Sequence, residues 1–361
     1  MTTQTTTQTT VDPAQVEELM GRLLNDLAAT AGLQMTHIGI KTGLWKAMAG
    51  GGWLTPAEVA TRSGVAQPYA REWLKHQTAS GYVDHDPQSE RFALPPAAAA
   101  VLADDVQSGI VGGFASMLSA MATDNAMVEE AFRSGGGVGW HQRSAQHWQG
   151  MDLATRAEVV PALASQWIPA LDGVADKLRA GASVADIGCG YGAALIGIGQ
   201  AYPSSRCIGF DYHDASIAQA RKAAATAGVA DHVMFEVADA VAYPGARYDL
   251  VLFVDTFHDL GDPLAALRHT RQALADDGTV LLVEFAAADR LEDNLNPMGR
   301  LLYASSALVC TANALSQGAT DPLGTAPGPA RLTELAREAG FTRISRVDVE
   351  APFNLLLELR P

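Results

Sequence analysis

The sequence predicts an α/β protein: a mostly parallel sheet with crossover helices in the C-terminal half, joined to a separate helical module in the N-terminal part. Three observations predict it. After Gly181, short apolar runs rich in β-branched residues (SVADI, RCIGF, VMFEV, DLVLFVD and TVLLVEF) alternate with helical stretches, the pattern of strands buried on both faces and linked by crossovers. The first of these runs leads directly into glycines at 188, 190 and 192, the turn chemistry expected where an open α/β sheet meets a ligand. From about residue 11 to 100, by contrast, apolar residues recur at helical spacing. The length of 361 residues suits two domains that each bury a core.

Residues 1–10, MTTQTTTQTT, are polar, repetitive and threonine-rich. They read as a disordered tail, with neither the basic nor the apolar region of a signal peptide. Val16, Leu19, Met20, Leu23, Leu24 and Leu27 mark an amphipathic helix, and a second helix is expected over His37–Ala49, ending at the glycines 50–52. Thr55 is placed to cap the next helix, with Pro56 at its first position and Glu58 at the capping-box position. Gly64 ends that helix, and residues 66–83 form another. VDHDPQSERFAL then reads as strand, turn, strand around Asp86-Pro87. Two helices about a short turn, followed by a hairpin, make a winged helix-turn-helix over residues 11–100.

Residues 101–170 read as a helical connector or lid, broken by the loop SGGGVGWHQ around Gly135–Gln142. Residues 171–361 form the domain with the sheet. Its last two runs, RISRVDVE and FNLLLELR, are separated only by Ala351-Pro352 and should pair antiparallel. A stretch of about residues 287–329 is too long for a plain connection, so part of it should be helical and cap the site.

Composition narrows the partners. The formal charge of −15 and the pI near 4.9 disfavour nucleic acid. Between Thr55 and Ala100 four basic residues face five acidic ones, a net of −1, whereas a DNA reader needs a basic face. No apolar run approaches the roughly 18 residues of a membrane span. Cys189, Cys207 and Cys310 are scattered, so neither a disulfide framework nor a metal site is indicated and a reducing cytoplasm fits.

The chemistry concentrates at the strand ends. In VADIGCGYG, Asp186 closes the first strand and Gly188, Gly190 and Gly192 follow. Asp211, in GFDYH, closes the second strand, where a carboxylate can accept both hydroxyls of a ribose. Asp239, in VADA, follows the third, placed to accept from a base. A nicotinamide-dependent oxidoreductase shares the glycine turn and one acid. It has no place for Asp239, and Asp186 would repel a pyrophosphate while suiting an ammonium group. FVDTFHDL closes the fourth strand, and there His258 is either a general base oriented by Asp259 or a structural cap of the loop. Glu284, at the end of strand five, either holds a substrate amine, partners His258 or bonds to backbone. Trp140 and His141 lie in the glycine-rich loop, and Tyr303, Cys310 and Asn313 lie in the long interruption. These are pocket-lining candidates or plain packing positions.

The D-x-G-x-G-x-G loop, the acid after strand two, the Asp-Ala pair after strand three and the terminal hairpin resemble class I S-adenosylmethionine-dependent methyltransferases. The resemblance covers about residues 172–361. With the winged-helix-like module, the Gly-Gly-Gly-Val loop and LEDN at 291–294, the chain is similar to a bacterial, often actinobacterial, small-molecule subgroup. The resemblance implies a Rossmann-like seven-stranded sheet in the order 3-2-1-4-5-7-6 with the last strand antiparallel, and S-adenosyl-L-methionine as cofactor. It places Asp186, Gly188, Gly190, Asp211, Tyr212, Asp239, Ala240 and Phe253 at the cofactor, with Tyr212 on the adenine and Phe253 near the methionine end. His258 and Asp259 resemble the catalytic pair of small-molecule O-methyltransferases, although Leu260 stands where a tryptophan usually follows. Trp140, His141, Glu284 and Tyr303 are then candidates for the acceptor. The implied activity is methylation of a small molecule, most simply at oxygen, in a homodimer without nucleic acid or membrane. The alternative is a ligand-sensing winged-helix regulator with a degenerate methyltransferase domain.

Overall fold

The computed structural model describes residues 11–245 and 247–361, so the threonine-rich tail lies outside the described residues. The chain divides into two compact units, with the division between Ala115 and Ser116.

The N-terminal unit opens with a helix over Pro13–Lys41, capped by Asp12. This helix takes in His37–Lys41, which the sequence had assigned to a second helix. That second helix is only Leu44–Met48, because Gly43 takes a left-handed conformation (φ 73°) and breaks the run. The expected capping box forms on the helix Pro56–Ser63: Glu58 N–H donates to Thr55 Oγ1, and Thr55 N–H donates to the Glu58 carboxylate. A helix over Gln67–Ala79 and the antiparallel pair β1 (Asp84–Asp86) and β2 (Arg91–Ala93) complete the wing.

Two tryptophans lock this unit. Trp45 and Trp73 meet edge to face at 4.5 Å, and their indole N–H groups donate to Thr36 O (3.1 Å) and Met35 O (2.9 Å) on the first helix. They approach so closely because Gly39 has no side chain between them.

In the C-terminal unit a seven-stranded sheet contains β3 (Ser183–Ile187), β4 (Arg206–Asp211), β5 (Val233–Val237), β6 (Tyr248–Val254), β7 (Leu274–Phe285), β8 (Arg343–Arg346) and β9 (Asn354–Arg360). Their order is β5-β4-β3-β6-β7-β9-β8, with β9 antiparallel to both of its neighbours. Counted from β3, this is the expected 3-2-1-4-5-7-6. Alternate residues feed two cores. Val184, Leu250, Leu252 and Leu281 pack on one face against the helices Val174–Ala180, Ala193–Ala201 and Asp214–Ala227. Ala185, Ile187, Val251 and Leu282 pack on the other against Pro263–Ala273 and Gly328–Glu338. The expected cap is a 3-10 turn at Leu291–Asn294, a helix over Pro297–Ser305, a π turn at Ser306–Cys310 and a helix over Thr311–Ser316. No helix among the described residues is long and apolar enough to cross a membrane, and all three cysteines are free.

A Cβ added at Gly39 would sit 2.6 Å from Trp45 Nε1 and 2.7 Å from Trp73 Cζ2. Helix propensity alone favours Gly39→Ala by about 1 kcal/mol, but overpacking typically costs about 1–3 kcal/mol. Urea unfolding followed by tryptophan fluorescence is therefore expected to show net destabilisation. A stabilised variant would mean that the rings yield freely.

Candidate active site

Parallel pairing sets Asp186 level with Gly209 and Leu252, and Ile187 level with Phe210. The turn after Ile187 begins at Gly188, with φ of 72°, 53° and 79° at Gly188, Gly190 and Gly192. These values lie in the left-handed region that favours glycine. Asp211 holds the turn: its Oδ2 accepts from Gly190 N–H (2.9 Å) and its Oδ1 from His213 N–H (2.8 Å). Each oxygen keeps a further lone pair for a ligand. A Cβ at Gly188 would strike Thr256 Oγ1 at 2.1 Å, whereas one at Gly190 would meet nothing within 4 Å. Open space therefore lies over the middle of the turn.

Asp186 is buried, and its Oδ1 has no hydrogen-bond partner. Burial, with the nearby Asp211 charge, pushes its pKa up to about 7. Asp239 is exposed and accepts from Val241 N–H at 3.0 Å, beside the half-buried Ala240. Phe253 requires a correction. It has no exposed surface and its ring packs on Phe257 at 5.6 Å in the second core, so its side chain belongs to the core rather than to the open space over the glycine turn.

Beyond β6, Asp255 has φ 49°, and a 3-10 turn over Phe257–Asp259 presents His258. Glu284 of β7 is fully buried and spends both oxygens on this histidine. Its Oε1 accepts from His258 N–H at 3.0 Å, and its Oε2 lies 2.5 Å from His258 Nδ1. Glu284, therefore, orients the imidazole and is closed to substrate. Asp259 is on the other side, its Oδ1 3.5 Å from His258 Nε2 and without a hydrogen bond. Cys310 joins them: the ligand-type atoms of His258, Asp259 and Cys310 all lie within 4.8 Å of one another. Burial alone would pull the imidazole towards its neutral form, but Glu284, Cys310 and Asp259 outweigh it and hold the His258 pKa well above its usual value. Burial raises the Cys310 thiol to about 11.

The glycine-rich loop is tied to the same cluster. Trp140 N–H donates to Tyr212 Oη and to Asn313 Oδ1 (3.1 Å each), and Tyr212 O–H donates to the same Asn313 oxygen at 3.0 Å. Asn313 Nδ2 donates to Asp259 O at 3.3 Å. Trp140, Tyr212, Asn313 and the backbone of Asp259 thus form one hydrogen-bonded network, and Asp259 directly follows His258, the partner of Glu284. Tyr303 is bonded instead to Asn294, and His141 is exposed. The residue that sequence reading missed is Arg143, which follows the loop and is buried. Nothing in its local pattern distinguishes it from a surface arginine.

Residues 158–345 match the model of the methyltransferase domain. The chain belongs to the S-adenosylmethionine-dependent methyltransferase family. Residues 29–104 of this methyltransferase match the Rv2258c-like winged HTH domain. Among curated relatives it is 33% identical over 110 residues to 27-O-demethylrifamycin SV methyltransferase of Amycolatopsis mediterranei, an alignment covering 30% of this chain and 40% of the relative. It is 27% identical over 106 residues to ajmaline N-methyltransferase of Rauvolfia serpentina, covering 29% of this chain and 36% of that one. The chain thus spans about two fifths of the length of these relatives. In fold it is similar to mitomycin 7-O-methyltransferase, with a TM-score of 0.68 at 16% identity over 97% of this chain and all of that one. Human N-acetylserotonin methyltransferase, solved with S-adenosylmethionine, gives 0.67 at 18% identity over 98% and 99%.

The crevice fits that cofactor on its own geometry. The unpaired Asp186 Oδ1 suits an ammonium group, and the space over Gly190 admits a close approach of ligand to backbone. In the free protein Asp186 titrates at about 7, and an ammonium group favours its ionised form. Binding therefore releases a proton when the pH lies below about 7. Calorimetry with S-adenosylhomocysteine is expected to show proton release and weakening affinity as the pH falls through that value. Asp186→Asn should bind more weakly and lose the dependence, and a wild-type affinity flat across this range would contradict the assignment.

Proposed function

We propose that the protein methylates a hydroxyl of a small molecule, with S-adenosylmethionine as donor and His258 as general base. The observation that carries this reading is the buried Glu284–His258 pair at the carboxyl edge of the sheet, beside the glycine turn. Two of the similar proteins, acting by name at the 27-O and 7-O positions of their substrates, support oxygen as the acceptor.

In this reading Asp186, Gly188, Gly190, Asp211, Tyr212, Asp239 and Ala240 hold the cofactor. When bound, it supplies a methyl group made electrophilic by a sulfonium. The chain's own residues then position and deprotonate the acceptor, and positioning alone can account for a large share of the rate. Glu284 keeps a proton on His258 Nδ1, which leaves the Nε2 lone pair free in the neutral ring. The acceptor's hydroxyl proton passes to Nε2, and the imidazolium that forms is stabilised by the Glu284 carboxylate. The donor held by the crevice residues would supply its methyl group to the hydroxyl oxygen, the carbon–sulfur bonding pair staying on sulfur. Trp140, bonded to Tyr212 and Asn313, closes the acceptor side.

The winged-helix unit, whose residues Thr55–Ala100 carry a net charge of −1, is read as a dimerisation module without a nucleic-acid partner. Val16, Leu19, Met20, Leu23, Leu24 and Leu27 are all exposed on the first helix, an apolar stripe that a second copy can cover. Light scattering is expected to give about twice the chain mass of 37.9 kDa, and Leu23→Glu with Leu27→Glu should give the monomer. A monomeric wild type would remove this assignment.

A base held above the ordinary histidine value of 6.5 is neutral only at higher pH. The rate is therefore expected to rise with pH through an inflection above that value. Glu284→Gln removes the largest of the contributions that hold it up, so the inflection should move to lower pH. His258→Ala should lose about a hundredfold or more in kcat while binding S-adenosylhomocysteine normally. Full turnover in that variant would exclude His258 as the base.

A further inference from the structure

Arg143 is 3% exposed, yet only one of its three nitrogens is bonded: Nη2 donates to Leu308 O at 2.8 Å. Nε and Nη1 are buried without any partner. A guanidinium carries five N–H donors and stays charged in proteins, so most of its hydrogen-bonding capacity is unspent among the protein's own groups. Burying a charge in this way is costly unless something pairs with it. Among the described residues no carboxylate forms an ion pair with Arg143. Asp124 and Asp259 act on it only at longer range. Asp124 Oδ2 and Asp259 Oδ1 are themselves unpartnered, so the cluster is poised around a missing group rather than closed on itself.

Its position relates that gap to the proposed chemistry. Leu308, which anchors Nη2, is on the π turn that ends at Cys310, the thiol grouped with His258 and Asp259. Asp259 and Cys310 are both within electrostatic range of the guanidinium. His147, fully buried with both ring nitrogens unpartnered, lies within range of it too. Burial, with the Arg143 charge, lowers its pKa to about 4, so it remains neutral and can offer one donor. A buried cation with two unbonded nitrogens beside a neutral imidazole, neither of them bonded to a carboxylate, describes a subsite for an oxyanion.

We infer that Arg143 receives an anionic oxygen of the methyl acceptor, a carboxylate or an acidic phenol or enol distinct from the hydroxyl presented to His258. The inference rests on the methyltransferase reading. It places the acceptor among hydroxylated organic acids, despite the acidic balance of the whole chain. The same chemistry has a second source in the carboxylate of the cofactor itself, and the test separates the two.

Protein saturated with S-adenosylhomocysteine is titrated with 2-hydroxybenzoate and with its neutral counterpart 2-hydroxybenzamide, with saturation-transfer NMR as the readout. The acid is expected to bind about tenfold or more tighter, the range of one charge-assisted hydrogen bond. Arg143→Met should abolish the preference and Arg143→Lys should keep most of it, with S-adenosylhomocysteine affinity unchanged in both. Arg143→Gln, which can still donate to Leu308 O, replaces the Met variant if that protein does not fold. A wild type without the preference, or a neutral variant that retains it, overturns the inference. Loss of S-adenosylhomocysteine affinity in the neutral variant assigns the anion to the cofactor and likewise overturns it. A wild type that fails to bind S-adenosylhomocysteine at all defeats the methyltransferase reading instead.

Discussion

The arrangement depends on one constraint: β3, β4, β5, β6 and β7 run parallel, so every carboxyl end falls on the same edge of the sheet. Strands buried on both faces leave no room for polar side chains along their length. The ends are where polar groups can go, and parallel pairing gathers them. Asp186, Asp211 and Asp239 lie at or just beyond the ends of three adjacent strands, and the His258 turn and Glu284 belong to the next two. The cofactor crevice and the candidate base are therefore consequences of one edge rather than two separate constructions.

Within that edge, carboxylates play unlike parts according to what they touch. Asp211 is bonded to two backbone N–H groups, so it shapes the glycine turn before any ligand arrives. Asp186 has no partner for one oxygen and is pushed towards neutrality by burial, a group held ready for a cation. Glu284 is closed around His258 and fixes a ring instead of a substrate. The three share a functional group, and surroundings alone separate their roles.

The cap and the glycine-rich loop supply the other wall. Asn313 ties Trp140 and Tyr212 to the backbone of Asp259, so the loop, the end of β4 and the turn that carries His258 are mechanically connected. Arg143 enters from the same loop and carries its charge to the cluster around Cys310.

The strand order came from the family resemblance. The mostly parallel sheet, the capping box at Thr55 and the three strand-end acids were legible in the chain, because each follows from local chemistry: apolar runs, turn glycines, a cap spacing, an acid at a strand end. The placement of Phe253 was not, since every residue of a strand buried on both faces looks alike and periodicity cannot say which face it serves. The choice of Glu284 over Asp259 as partner of His258 was likewise hidden. Asp259 is adjacent in sequence, but only the β6–β7 register brings residue 284 to the ring. Arg143 was least legible of all, because a charge becomes buried through packing by distant segments and no local pattern announces it. By itself the sequence determined the edge at which chemistry occurs. The tertiary structure decided which side chains face one another there, because those contacts join residues 26 to 173 positions apart, and local spacing carries no information across such gaps.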